Sequence, residues 1–415
     1  VWKEVARSYI QLAGEVLRER RQSPRPALLS RGDRRSVTST PEVSLSHMQR
    51  LTDDTGIMQH AIYAVPDRSM GYATNDNARA LVTVLMYYEI NRDPKVLALA
   101  DRYLAFLMNA YDHDARRFCN VMSYDRHWSE EQSEQTHGRA IWALGLATAL
   151  APNDALLAFT TRLFNQAMEN AEDFESPHNW AFALVGVHAY LQRFGGDTHA
   201  RRLRNILAEN LARRFDEHAS DDWPWYEDQV GEDSARIAHA LILSGQWLPN
   251  PSMVEKGIKA LNWLLDYQIL DDGRISILGD SERLSRDGSR SRFDQQPIEV
   301  MSLIEACAEA YRCTQEPQWI EKADQLLDWF LGQNDLHAVM YDFQTAGCRD
   351  GLHADGPNLN QGARATLAWL ISLLTVTNLN RITALGEEAE MVERARIVTT
   401  ESASSNNAEK KKTSS

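Results

Sequence analysis

Six segments of this chain begin alike, and that recurrence limits the fold more than any other feature. They read "TNDNARALVTVL" around Arg79, "EQTHGRAIWALGLA" around Arg139, "SPHNWAFALVGVHAYL" around Phe182, "GEDSARIAHALILSG" around Arg236, "QQPIEVMSLIEACAEAY" around Val300 and "NLNQGARATLAWLISLL" around Arg364. Each opens on polar or amide residues and continues in small and apolar ones. A helix that is apolar nearly all round is buried on all sides. Between these segments lie ordinary amphipathic helices, such as "VLALADRYLAFLMNAYD" and "ALLAFTTRLFNQAMENA". A helical hairpin plus a variable loop, recurring along the chain, is the mark of a repeat architecture. Six buried helices inside six amphipathic ones predict an all-α (α/α)6 toroid. The N-terminal ends of the inner helices then gather around one mouth.

The repeat accounts for residues 42–396. Before it, residues 1–22 read as an amphipathic helix, with Val5, Tyr9, Ile10, Leu12, Val16 and Leu17 near helical spacing. Residues 23–41, rich in Ser, Pro, Gly and Arg, read as a linker. Residues 397–415 are polar and of low complexity, the composition of a disordered tail. The chain has 415 residues, 43% of them hydrophobic, enough for one large core. A net charge of −14 argues against a nucleic-acid partner. The longest apolar run, Leu367 to Val376, is too short to span a bilayer. Cys119, Cys307, Cys313 and Cys348 form no CxxC pair and read as free thiols in a reducing, cytoplasmic setting.

The segments just before the inner helices hold the candidate chemistry. The first offers Asp54, His60, Asp67, Arg68, Tyr72, Asp76 and Asn77, and the second Glu134, His137 and Arg139. "DDWPWYEDQVGEDSAR" offers Trp223, Trp225, Glu227, Asp228 and Asp233. "SRSRFDQQPIE" offers Asp294, Gln295, Gln296 and Glu299. "CRDGLHADGPNLNQGAR" offers Asp350, His353, Asn358, Asn360 and Arg364. Acids, amides and aromatic rings around one pit suit a sugar: rings stack on its apolar faces while acids and amides bind its hydroxyls. Glycoside hydrolysis needs two carboxyl groups flanking the bond. The general acid is expected from Glu134 or Glu227 and the base from Asp76 or Asp294. For Asp76 a plainer reading stands beside this one: Thr74 caps the helix and Asp76 meets its positive end. Trp223 and Trp225 are equally readable as core residues. His60, His137 and His353 lack metal-ligand spacing, and no nucleotide motif occurs, so neither metal nor cofactor is expected.

Taken together, "TDDTGIMQHAIYAVPDRSMGYATNDNARAL", "HGRAIWALG", "WPWYED", "RFDQQPIE" and "DGLHADGPNLNQGA" resemble a family of bacterial six-hairpin glycosidase-like domains. Such domains are often fused behind, or encoded beside, two-Rossmann-domain glycosyltransferases. The resemblance runs from about Leu51 to Leu374. It implies the toroid, an oligosaccharide substrate or ligand, and a glycosyltransferase as neighbouring domain or separate partner. "VWKEVARSYIQL" looks like the closing helix of such an enzyme. The chain departs from the pattern at Arg364 and Ala365, where relatives read GAEST. It also departs at Asn75 and Gln135, where acids are usual. Two alternatives to hydrolysis stand beside it, and the departures favour the first. One is a non-catalytic glycan-binding module. The other is a sugar epimerase using His137 and His353 for proton transfer.

Overall fold

A computed structural model describes residues 40–280, 283–288 and 290–384. The expected helix at 1–22, nearly all of the linker at 23–41 and the tail at 397–415 lie outside the described residues. A short helix α1 (Ser46–Leu51) leads into a regular alternation. The inner helices are α2 (Thr74–Asn91), α4 (Glu134–Ala149), α6 (Pro177–Arg193), α8 (Ala235–Trp247), α10 (Pro297–Thr314) and α12 (363–384). The outer helices between them are α3 (Leu97–Ala110), α5 (Asp154–Met168), α7 (Thr198–His218), α9 (Pro251–Gln268) and α11 (Gln318–Leu327).

The two layers follow from composition. Helix α6 is buried without a break from Asn179 to Leu191, as a helix walled in on every side must be. Helix α5 buries Leu156, Thr160, Leu163, Phe164 and Ala167, the single stripe of a helix with one face in water. Each inner helix packs on the next, α2 to α4, α6, α8 and α10, and on the outer helix that follows it. The ring closes: one axial cavity is lined by residues of all six inner helices, from Met86 on α2 to Asn378 on α12.

Small residues let the inner helices approach. A Cβ on Gly145 would lie 2.0 Å from the Gly186 carbonyl oxygen, and one on Gly186 would lie 2.5 Å from that of Ile141. Outer helices begin on side-chain caps: Asn153 accepts from Leu156 N–H (2.9 Å) and Asp197 from Ala200 N–H (3.0 Å). The described loops carry short antiparallel ribbons, including Ala61–Ile62 with Val65–Pro66 and Gly351–His353 with Gly356–Asn358. All four cysteines are free. Among the described residues no helix is long and apolar enough to cross a membrane.

Candidate functional site

The inner helices start at one end of the ring, and four of them carry an arginine there. Arg79, Arg139 and Arg236 are 3%, 1% and 0% exposed. Arg364 stands close enough to Arg79 and Arg139 for their charges to disfavour its own. Three buried cations, the partly exposed Arg364 and six helix N-termini make a strongly positive floor, which explains why carboxylates collect over it.

Asp76 is the first of them. Thr74 does not cap α2; its hydroxyl donates to the Cys119 carbonyl (2.6 Å), and the helix has no side-chain cap. Asp76 is 6% exposed and accepts from Arg79 Nη1 (3.2 Å). Burial raises its pKa, with Arg79, then Arg364, His60 and Arg139 pulling the other way. Asp350 shares this neighbourhood. It accepts from Gly362 N–H (2.6 Å), and burial raises its pKa against the help of that hydrogen bond and of His60.

A second acidic group lies just before α8. Glu232 pairs with Arg364 and with Arg139 (3.9 Å), and Asp233 with Arg139 (3.6 Å). Asp233 is fully buried with φ of 56°, a left-handed conformation that Asp tolerates better than most residues. Glu299, on the first turn of α10, accepts from Asp233 N–H (2.6 Å) and Ser234 N–H (3.5 Å), so it caps α8 from the neighbouring helix. Burial, then the Asp233 charge, push Glu299 up to about 8. The crevice between Glu232, Asp280, Arg283, Gln296 and Glu299 is narrow, about 10 Å³.

The sequence placed acids at this mouth, and Asp76, Asp350, Arg139, Arg364 and His60 do share it. Glu232 was missed, and Asp233 and Glu299 were noted only as mouth residues. The signal was the pair of acids directly before an inner helix; the contact that gives it meaning, Asp233 to Glu299, spans 66 residues of chain. At the rim, Asp294 Oδ1 meets His353 Nδ1 at 2.5 Å, both 40% exposed.

Other candidates face elsewhere. Glu134 stands at the seam with the third hairpin, accepting from Asn179 Nδ2 (3.2 Å). Glu227 lies among Arg214, His218 and Arg283, two of them on outer helix α7, and burial raises its pKa. Trp223 and Trp225 are buried and pack on Trp263 of outer helix α9, so they are core residues with no face free to stack on a ligand. His137 is fully buried, its Nε2 2.8 Å from the Ala167 carbonyl of outer helix α5, and burial pushes it down to about 4. It is thus held away from the axis, which removes it as a proton carrier at the mouth. Asn77 and Gln295 are also structural. Asn77 accepts from Ile57 N–H (3.0 Å), and Gln295 ties Trp329 Nε1 (2.9 Å) to Asp335 (2.6 Å).

Asp54, paired with Arg126, and Asp228, beside Arg286, are exposed surface acids. Asp67 caps a short turn at Ser69, and Asn358 and Asn360 fix loop backbone at Asn360 and Tyr63. Gln296 packs against Gly351. Tyr72 donates to Asp53 (2.6 Å) and stacks on Tyr124, over which Arg68 lies. Exposed aromatic rings on the loops of this end include Tyr63 (62%) and Tyr124 (43%), outside the Trp-rich segment.

No protein-family model and no curated protein matches the chain. Solved structures do. A cellobiose 2-epimerase from Bacillus thermoamylovorans is 12% identical with a TM-score of 0.65, over 82% of this chain and 96% of its own. An α-mannanase from Bacteroides thetaiotaomicron is 12% identical with a TM-score of 0.58, over 81% and 93%. An inactive double-aspartate variant of an α-1,6-mannanase from a Salegentibacter species, in complex with α-1,6-mannotetrose, is 11% identical with a TM-score of 0.56, over 80% and 96%. At these identities the likeness establishes the six-hairpin toroid fold.

Proposed function

We propose that this chain is a carbohydrate-active domain that hydrolyses an oligosaccharide at the mouth of the toroid. The observation that carries the reading is the convergence of Asp76, Glu232 and Asp350 from three hairpins around Arg364 and its neighbours. Asp76 suits the general acid, because burial favours its protonated form. It would give its proton to the leaving glycosidic oxygen. The Glu232 carboxylate, held by Arg364 and Arg139, suits the partner that activates water or attacks the sugar. Glu299 positions this partner by capping α8 beside it. The Salegentibacter mannanase loses activity on replacement of two aspartates, and Glu232–Asp233 is a comparable acidic pair here. The sequence resemblance adds a setting: a cytoplasmic two-Rossmann-domain glycosyltransferase, fused or separate, whose glycan this mouth would receive.

A second reading has one specific support. The Asp294–His353 dyad at the rim is the arrangement that would move a proton on a sugar carbon, as an epimerase must. Chromatography of α-1,6-mannotriose, α-1,6-mannotetrose and cellobiose after incubation separates the readings. Hydrolysis shortens the chain. Epimerisation keeps its length, changes the sugar and depends on His353. Sugar bound but unchanged would assign a glycan-binding module and end the hydrolase reading.

A further inference from the structure

One polar cavity of the ring lies away from the mouth. A cavity of about 340 Å³ opens from mid-ring toward the C-terminal ends of the inner helices, within the size range of small-molecule sites. One side is apolar, formed by Leu146, Val185, Ala189 and Leu243. The other carries His239, Glu305, Glu309 and Arg312, from α8 and α10.

Its charges are balanced. Glu305 pairs with Arg236, Glu309 with Arg312 (3.1 Å), and Glu89 with Arg92 (2.7 Å). Burial holds His239 well below the ordinary histidine pKa, so it adds no charge. A site without net charge does not select an ion. It does retain open hydrogen-bonding capacity. Arg236 Nη1 donates to His239 Nδ1 (3.3 Å), which puts the imidazole proton on Nε2. That N–H stands 4.0 Å from Glu309 Oε2, beyond hydrogen-bond reach, on a residue only 6% exposed. Buried polar groups are normally satisfied, so a donor that meets no protein acceptor at a roomy cavity is available to a bound molecule.

We propose that this cavity is a second binding site, for a neutral sugar or similar polyhydroxyl compound, on the face of the toroid opposite the mouth. The hydroxyls would accept from His239 Nε2 and donate to Glu305 and Glu309, while the ring's apolar face lies on Leu146, Val185 and Leu243. The site does not depend on the hydrolase reading, because it shares no residue with the carboxylate group around Asp76.

Calorimetric titration of the full chain with D-mannose, D-glucose and cellobiose tests it. Ala189→Phe fills the cavity. Gln192→Trp narrows its rim from an exposed position, a milder change should Ala189→Phe fail to fold. Arg364→Ala disturbs the mouth alone. The expected result is binding of at least one sugar that survives Arg364→Ala and weakens at least tenfold in Ala189→Phe or Gln192→Trp. Binding abolished by Arg364→Ala, or equal to that of the unmodified chain in both cavity variants, or absent for all three sugars, overturns the proposal.

Discussion

At the scale of single residues, the mouth shows why one acid cannot be interpreted alone. Asp76 was readable as a helix-start acid, and it is one: it lies in the first turn of α2. Its surroundings make it more, because Arg79, Arg139 and Arg364 reach it from three helices. Glu299 offers a test independent of substrate. Its carboxyl is held up near 8 by burial and by Asp233, above the ordinary value of 4.5. A raised acid is protonated in the fold while the unfolded chain has lost its proton. Stability from this group is therefore complete below about pH 4.5 and is lost as pH rises through about 8. Above pH 6.5, where the buried histidines no longer change the balance, Glu299→Gln should flatten the fall in Tm up to pH 8; an unchanged slope would mean Glu299 is ionised throughout. Trp225 tests the opposite assignment. It is fully buried against Trp263, so Trp225→Ala should cost about 3–5 kcal/mol in denaturant unfolding and leave sugar affinity within twofold. A selective loss of affinity would return it to the binding site.

At the scale of elements, the helices were legible and the direction of side chains was not. Apolar residues all round α6 and a single stripe on α5 distinguish inner from outer, and six polar starts order the ring. Composition does not say which way a loop aromatic or a buried histidine turns. Trp223, Trp225 and His137 belong to segments that resemble a sugar site, yet they turn outward to α9 and α5 because the interlayer space needed filling. Glu232 goes unrecognised in the sequence, and Glu299 shows there only as a mouth residue, for the converse reason: each acquires its role from a partner on another hairpin. The contact between α4 and α6 carries an energetic prediction. Gly186 sits against the Ile141 carbonyl with no room for a methyl group. Gly186→Ala should destabilise by about 1–3 kcal/mol or more, despite the better helix propensity of alanine. A rise in Tm would show that the helices can part without cost.

At the scale of the whole molecule, a closed ring places two chemistries on one axis: arginines and acids at the mouth, and a charge-balanced cavity beyond them. Arg236 joins the two, since it lies near Asp233 and pairs with Glu305. The ring also buries histidines. His137 and His178 are pushed down to about 4 and His188 to about 3, and His239 is lowered as well, each chiefly by burial. A lowered histidine is neutral in the fold while the unfolded chain takes a proton. Stability from these groups is present above pH 6.5 and lost as pH falls toward 4. Urea midpoints should climb from pH 4 to 6.5, and His137→Gln should reduce that climb; a flat profile would contradict neutral burial. The account's central claim, that Asp76 acts on a glycan and is not merely a cap, has a direct measurement. Turnover of α-1,6-mannotetrose is followed by chromatography for the unmodified chain and Asp76→Asn, with Tm recorded for both. The account predicts shortening by the unmodified chain, a loss of about 10²-fold or more in the variant, and a Tm that barely moves. Equal turnover in the two, or no shortening by either, would contradict it.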